Sequence, residues 1–209
     1  MAEKSSNTVT LMAGGDIDPI FGDANQLAAL VLPVLQQADL RFAQCERTYS
    51  ERGWPEFGSS SHGGLTSLRD RNRVSIWKTA GIDVISMASN HIMDWGPEAL
   101  LDTKELFRNM GQHPIGVGKD EDEARAPAII ERNGIKIAFL AYCSVLRPGH
   151  QAGKGKPGAA PMRAHTSYAP EDWQPGTPAR PITVPHAEDL QALQSSWSGF
   201  PIATRINSG

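Results

Sequence analysis

Short β-compatible apolar runs that close on polar loops alternate along this chain with longer stretches of helical spacing. Val9-Thr10-Leu11-Met12-Ala13 runs into Gly14-Gly15-Asp16-Ile17-Asp18, Asp39-Leu40-Arg41-Phe42-Ala43-Gln44-Cys45 ends on Glu46, and Asp83-Val84-Ile85-Ser86-Met87-Ala88 opens into Ser89-Asn90-His91. Between them, Asn25 to Leu32 suits a helix with Pro33 at or near a kink, and Arg73 to Ala80 suits another. A further helix is expected from Pro97 to Met110, where Ala99, Leu100, Thr103, Leu106, Phe107 and Met110 form a core-facing stripe. Strand followed by helix, repeated, predicts an α/β fold.

The second half is patterned differently. Pro127 to Tyr142 reads as two strands around Asn133-Gly134, a hairpin signal, and Ile135 to Ala141 reads as a central strand. From Arg147 to Pro181 lie seven of the 15 prolines and five of the 20 glycines, so little regular structure is expected there. Pro185 to Leu193 reads as a helix, followed by a tail to Gly209 with no further apolar strand. Tyr49 to Asn72 is a long polar loop whose His62 faces either substrate or solvent.

Candidate chemistry sits at the strand ends, where open α/β sheets usually bind ligands. Asp16 and Asp18, Glu46, and Asn90 with His91 place hard oxygen donors and an imidazole after three separate strands, a pattern suited to a divalent metal. Taken singly, each has a plainer reading: Asp after Gly as a helix cap or turn, Glu46 as a surface ion pair, Ser89-Asn90-His91 as a turn. Other chemistries find less support. Gly116-Val117-Gly118-Lys119 lacks a P-loop's spacer and its Ser/Thr, no Gly-x-Ser-x-Gly elbow is present, and two cysteines cannot build a zinc ribbon. A glycosidase pair of Asp16 with Glu46 or Asp94 is conceivable, but carboxylate separation is not legible in sequence.

Taken together in order and spacing, these segments resemble the CapA family of bacterial poly-γ-glutamate capsule synthesis proteins, within the calcineurin-like metallophosphoesterase superfamily. The likeness runs from Thr8 to Leu146 through Gly15-Asp16-Ile17-Asp18, Glu46, Ala80-Gly81-Ile82-Asp83-Val84-Ile85-Ser86, Ser89-Asn90-His91, Asp94-Trp95-Gly96, Leu101-Asp102-Thr103, Gly116-Val117-Gly118 and Ala138-Phe139-Leu140-Ala141-Tyr142. The resemblance implies metallophosphoesterase-like sheet layers flanked by helices. It implies Asp16, Asp18, Glu46 and Asn90 as metal ligands, with His91 as the catalytic acid or base. The second catalytic candidate, Asp94, either orients His91 or caps the next helix. The implied cofactor is one or two divalent ions (Mn, Fe, Zn or Mg), which would activate water for hydrolysis.

Three departures qualify it. Ser89 stands where the superfamily has Gly, and Cys45 where the family usually has Asn. The His-Trp-Gly and Gly-His-His-Pro-His segments that complete the family's metal site are absent, the later histidines being His113, His150, His165 and His186. The expectation is therefore a chain truncated at the C-terminus, with residues 1–146 forming the N-terminal part of the domain. Residues 147–209 would be a Pro/Gly-rich excursion, short helix and divergent tail of that same domain. A metal-dependent hydrolase of capsule biosynthesis is the leading expectation. The alternative is a catalytically defective partial domain acting as a binding module.

Composition changes this picture little. With 209 residues, 40% apolar and 21% charged, one globular domain is expected. The net charge of −3 gives no reason to expect nucleic acid as a partner. A small-molecule or polymer substrate is expected instead, an anionic one among the candidates. Arg41, Arg47, Arg52, Arg69, Arg71 and Arg73 lie between the second and third site loops, read here as a solvated face. Cys45 and Cys143 are expected to be reduced. The start lacks an apolar leader and no stretch is long enough to span a bilayer, so a cytoplasmic protein is expected although the family is often membrane-associated. Self-association through an unpaired sheet edge is a further expectation.

Overall fold

The computed structural model describes residues 8–19, 23–55, 68–169, 176 and 178–197. His62 with its Gly/Ser-rich surroundings, the first seven residues and the tail after Trp197 lie outside the described residues. The chain divides into two compact units, Met1–Pro161 and Met162–Gly209.

The first unit is built on a four-stranded sheet of order β1-β2-β5-β6, formed by Leu11–Ile17, Leu40–Cys45, Val84–Ser86 and His113–Ile115. All three pairings are parallel. Parallel neighbours require crossovers. These are supplied by α1 (Ala24–Ala29) with α2 (Leu32–Leu35), by α3 (Ser75–Thr79) and by α4 (Gly96–Asn109). A short parallel pair, β3 (Thr48–Tyr49) with β4 (Leu68–Arg69), lies between β2 and α3 in sequence. The architecture is α/β, a parallel sheet flanked by helices. Pro33 does not kink one helix: it sits in the first turn of α2, where its missing N–H costs nothing, so α1 and α2 are separate.

Pleat alternation sorts the sheet's side chains to two faces. On one, Ala43, Cys45, Ile85 and Met87 pack with Ala28, Ile76, Trp77, Leu100 and Phe107 from the helices. Trp77, Tyr49 and Phe107 meet edge to face there, with centroids 5.3–6.5 Å apart, contacts that add about 0.5–1.5 kcal/mol each beyond their buried area. On the other face, Leu40, Phe42, Val84 and Ile115 are covered by Ile130, Ile137 and Phe139 of the antiparallel hairpin β8 (Ala128–Arg132) and β9 (Ile135–Phe139). Phe42 and Phe139 stack at 6.1 Å. The run read as a central strand is thus a covering layer. An apolar run of this length satisfies either role, and only pairing distinguishes them. The turn is as expected, with Asn133 and Gly134 both at positive φ.

The strand starts are tied by carboxylates: Thr10 N–H donates to Asp39 Oδ2 at 2.7 Å, and Arg41 N–H to Asp83 Oδ2 at 2.8 Å. The opposite ends are left to the site loops. After β6, Gly116 turns at φ +83° into β7 (Val117–Gly118), which pairs with β10 (Gly158–Ala159). A Cβ on Gly116 would come within 2.7 Å of the Ala88 Cβ and 2.8 Å of the Ala141 Cβ. Gly116→Ala is therefore expected to cost about 1–3 kcal/mol from combined strain and overpacking, measurable by urea denaturation. Since Ala88 precedes Ser89-Asn90-His91, the displacement would reach the site loop. α5 (Glu121–Arg125) follows β7, started by Asp120, whose Oδ1 accepts from Glu123 N–H at 2.9 Å.

In the second unit, β11 (Ala164–Ala169) and β12 (Arg180–Pro185) form an antiparallel ladder of six pairs, followed by α6 (Ala187–Trp197). This overturns the expectation that regular structure lapses up to Pro181. Neither strand carries the buried-face alternation that would have announced it: β12 is exposed throughout. Pro181 and Pro185 are tolerated because, among the described residues, a two-stranded ladder leaves one edge of each strand without pairing. Asp189 fastens this unit, accepting from Arg163 N–H at 2.7 Å and from its guanidinium Nε and Nη2 at 2.9 Å each.

Candidate functional site

The residues singled out by sequence emerge at the carboxyl ends of three neighbouring parallel strands. β1 runs further than expected, through Gly14-Gly15 with a register irregularity between Ala13 and Asp16, so that Asp16 and Ile17 close the strand and Asp18 follows it. Glu46 follows β2, and Asn90-His91 lie in the turn between β5 and α4. Since β2 lies between β1 and β5, its loop is the middle of the three.

The β5 loop is shaped by its own polar side chains. Ser89 Oγ accepts from His91 N–H at 3.1 Å, and Asp94 N–H closes a turn on His91 O at 3.1 Å. Ser89, the departure from Gly, thus supplies a turn acceptor. The His91 ring is held by Nδ1 against Asp94 Oδ2 at 2.8 Å, while Nε2 lies 3.7 Å from Glu46 Oε1. Asp94 is nearly buried, its side chain 3% exposed, and it is not the cap of α4. That position is Trp95, with no side-chain cap bond. One carboxylate therefore fixes the imidazole at one nitrogen and leaves the other facing the β2 loop.

Arg47 is the functional candidate that sequence reading placed on a solvated face. Its side chain is 16% exposed, with Nε 3.2 Å from Asp18 Oδ2 and 3.4 Å from Glu46 Oε2, and Nη1 3.8 Å from Asp94 Oδ2. Its carbonyl accepts from Cys45 Sγ–H at 3.0 Å, giving the buried thiol a structural part. Arg147 Nη1 lies 3.9 Å from Asp94 Oδ1. Of the other arginines in that group, Arg41 is bound to Leu35 O and Ala38 O, Arg71 to Asp102, and Arg73 to Pro19 O. Adjacency to Glu46 was the only sequence signal for Arg47, and it reads equally well as a surface pair.

Electrostatically the cluster is crowded. Burial pushes the Glu46 carboxyl above its ordinary range, Arg47 and His91 pull it back, and Asp18 and Asp16 push it up again. Among the described residues Asp94 Oδ1 is buried without a hydrogen-bond partner, with the Arg147 guanidinium beside it. Among the described residues, no three His, Cys, Asp or Glu groups converge closely enough to hold a metal ion. In donor chemistry, three strand-end carboxylates, an amide oxygen and an imidazole fit a hard divalent cation. In arrangement, the space between Asp18 and Glu46 is taken by the Arg47 side chain.

A cleft of about 300 Å³ adjoins the β1 loop, lined by Asp16 and Asp18 on one side and by Leu27, Val31, Leu35 and Ile76 on another. A larger one of about 820 Å³ lies along α4, lined by Arg52, Asp102, Lys104, Arg108, Lys119 and Glu123, and its lining includes none of Asp16, Asp18, Glu46, Asn90, His91 and Asp94. Of the later histidines, His150 is buried in the first unit, and the His165 and His186 rings meet at 4.6 Å, tilted by 39°, in the second. No helix among the described residues is long and apolar enough to cross a membrane.

Residues 5–195 match the family described as "Bacterial capsule synthesis protein PGA_cap". The chain belongs to this family. Among curated relatives, the "Uncharacterized protein y4sH" of Sinorhizobium fredii (strain NBRC 101917 / NGR234) is 24% identical over 153 residues, 68% of this chain and 32% of the relative. The "Capsule biosynthesis protein CapA" of Bacillus anthracis is 28% identical over 85 residues, 41% of this chain and 21% of its own. The "PGA biosynthesis protein CapA" of Bacillus subtilis (strain 168) is 29% identical over 93 residues, 44% and 24% respectively. The chain spans about a third or less of the length of these curated relatives. Membership of a capsule biosynthesis family agrees with the resemblance drawn from the strand-end motifs.

Proposed function

We propose that this chain carries the site of a metal-dependent hydrolase serving capsule polymer biosynthesis, acting on a phosphoester, amide or related bond of an anionic substrate. The observation that carries this reading is the held His91: Asp94 grips Nδ1 at 2.8 Å and Nε2 faces the carboxylate loops. Asp16, Asp18, Glu46 and Asn90 would hold one or two divalent ions, which supply Lewis acidity and a more acidic water. The chain's own residues then do the remaining work. Nε2 of His91 passes a proton to the leaving group, Asp94 keeps the ring oriented and stabilises it when charged, and Arg47 and Arg147 attract the substrate's negative charge. We assign the site loops to residues 1–146. Residues 147–209 belong to the same domain in this reading; of them, Arg147, within the first unit, lies 3.9 Å from Asp94 Oδ1.

The test is Mn²⁺ binding by calorimetry alongside hydrolysis of bis(p-nitrophenyl) phosphate. Asp16→Asn is expected to weaken metal affinity at least about tenfold by removing a charged ligand and to lower hydrolysis with it. Unchanged affinity and rate in Asp16→Asn would remove the assignment.

A second reading, an inactive module that self-associates, is supported by β1. It is the outermost strand among the described residues, with Leu11 and Ala13 to Asp16 exposed. Concentration-dependent dimerisation in size exclusion, with no Mn²⁺ binding, would favour it.

A further inference from the structure

We infer that Arg47 is a resident counter-cation of the strand-end carboxylates, which a divalent ion must displace, so that metal loading and the Arg47 position are coupled. This rests on the metal-site reading above. One guanidinium lies against carboxylates from three loops: Asp18 after β1 and Glu46 after β2 at 3.2 and 3.4 Å from Nε, and Asp94 after β5 at 3.8 Å from Nη1. A planar, permanently charged fork suits such bridging.

Three observations make the arrangement more than a surface ion pair. Arg47 is mostly withdrawn from water. Its carbonyl is anchored by the Cys45 thiol at 3.0 Å, which fixes the backbone from which the side chain turns inward. And Asp94, 2% exposed as a residue, retains a buried Oδ1 with no hydrogen bond among the described residues, with Arg147 Nη1 3.9 Å away.

The physical consequence is competition. A divalent ion drawn to Asp18 and Glu46 meets a positive charge already within 3.5 Å of both. At that range two like charges repel strongly even at the effective dielectric of a protein surface. Entry therefore requires the guanidinium to swing away from Asp18 and Glu46. Once displaced, it remains beside the site with an unsatisfied fork, a suitable receptor for an anionic substrate oxygen. Without metal, the same charge holds the three loops together.

The experiment is Mn²⁺ titration by calorimetry, with thermal unfolding of the metal-free protein, on wild type, Arg47→Met, Arg47→Gln and Arg52→Met. Arg52→Met removes the same unit charge from an exposed residue outside the cluster. Arg47→Met and Arg47→Gln are expected to bind Mn²⁺ about tenfold or more tightly than wild type through relief of the like charge. Both should unfold at lower temperature when metal-free, and saturating Mn²⁺ should recover the difference. Arg47→Gln keeps length and polarity, so it reports if Arg47→Met fails to fold. Equal Mn²⁺ affinity in wild type and both Arg47 variants would overturn the competition while leaving the metal site standing. An equal gain in Arg52→Met would overturn it in favour of net charge. No binding in any variant would remove the metal site and the inference together.

Discussion

Asp94→Asn and His91→Ala are each expected to lower turnover of bis(p-nitrophenyl) phosphate by about 10²–10⁴-fold, the range for loss of a positioned acid–base group. Mn²⁺ affinity should stay within about threefold of wild type, because neither residue is assigned as a ligand. In the proposed function, His91 is the group that touches the reacting atoms. Asp94, which grips Nδ1 at 2.8 Å from a buried site, is in that reading a positioning residue. An amide in its place has the shape but not the charge, so it neither selects the productive tautomer nor stabilises the imidazolium. The double variant separates this role from damage to the loop. If Asp94 works through His91, Asp94→Asn adds almost nothing in the His91→Ala background. Multiplicative losses in the double variant would show that Asp94 acts independently, through folding or through Arg47 and Arg147.

The placement of the candidate residues was legible where each follows directly from a strand end. Asp16, Glu46 and Asn90-His91 each close or follow an apolar run, and parallel strands in sequence order bring such ends to one edge of a sheet. What sequence could not convey is direction across the gap. Arg47 and Glu46 are neighbours in the chain, and nothing in that adjacency says that Nε turns to Asp18 on another loop. Equally, Asp94 three residues after His91 reads as a helix cap or as a partner. The rotation of the Ser89–Asp94 turn decides it.

The fold shows the same division. The Pro97-to-Met110 stripe became α4, with Ala99, Leu100, Thr103 and Phe107 buried as their spacing implied. The Ile135 run formed a strand but not a central one, because its apolar side chains meet Leu40, Phe42 and Val84 face on. β11 and β12 escaped notice for the opposite reason. Their cross-strand links, such as Thr166 with Thr183 at 2.9 Å, involve exposed polar residues that leave no hydrophobic period.

The largest stability effect is expected at Glu123, away from the site. Lys104 on α4 is nearly buried, and its ammonium donates to Val117 O at 2.5 Å and pairs with Glu123 Oε1 at 2.9 Å. Burial lowers the Lys104 pKa, only partly offset by Glu123. Burial would also raise the Glu123 carboxyl, but the Lys119 N–H and the Lys104 and Arg108 charges outweigh it and hold the pKa at about 2. Glu123→Ala strands a buried ammonium, so a loss of about 3–5 kcal/mol is expected at pH 7. Lys104→Met fills similar volume without charge and should cost far less, and in the double variant most of the Glu123→Ala loss should disappear. The Arg108 link, on a half-exposed side chain, contributes little to this sum. The pH dependence follows from the same carboxylate. Its pKa is lower folded than unfolded, so its contribution is complete above the unfolded value of 4.5 and is lost as pH falls toward about 2. Urea denaturation of wild type and Glu123→Gln at pH 7 and pH 3 should therefore show a gap that narrows in acid. A gap of constant size would mean that Glu123 contributes through packing rather than charge.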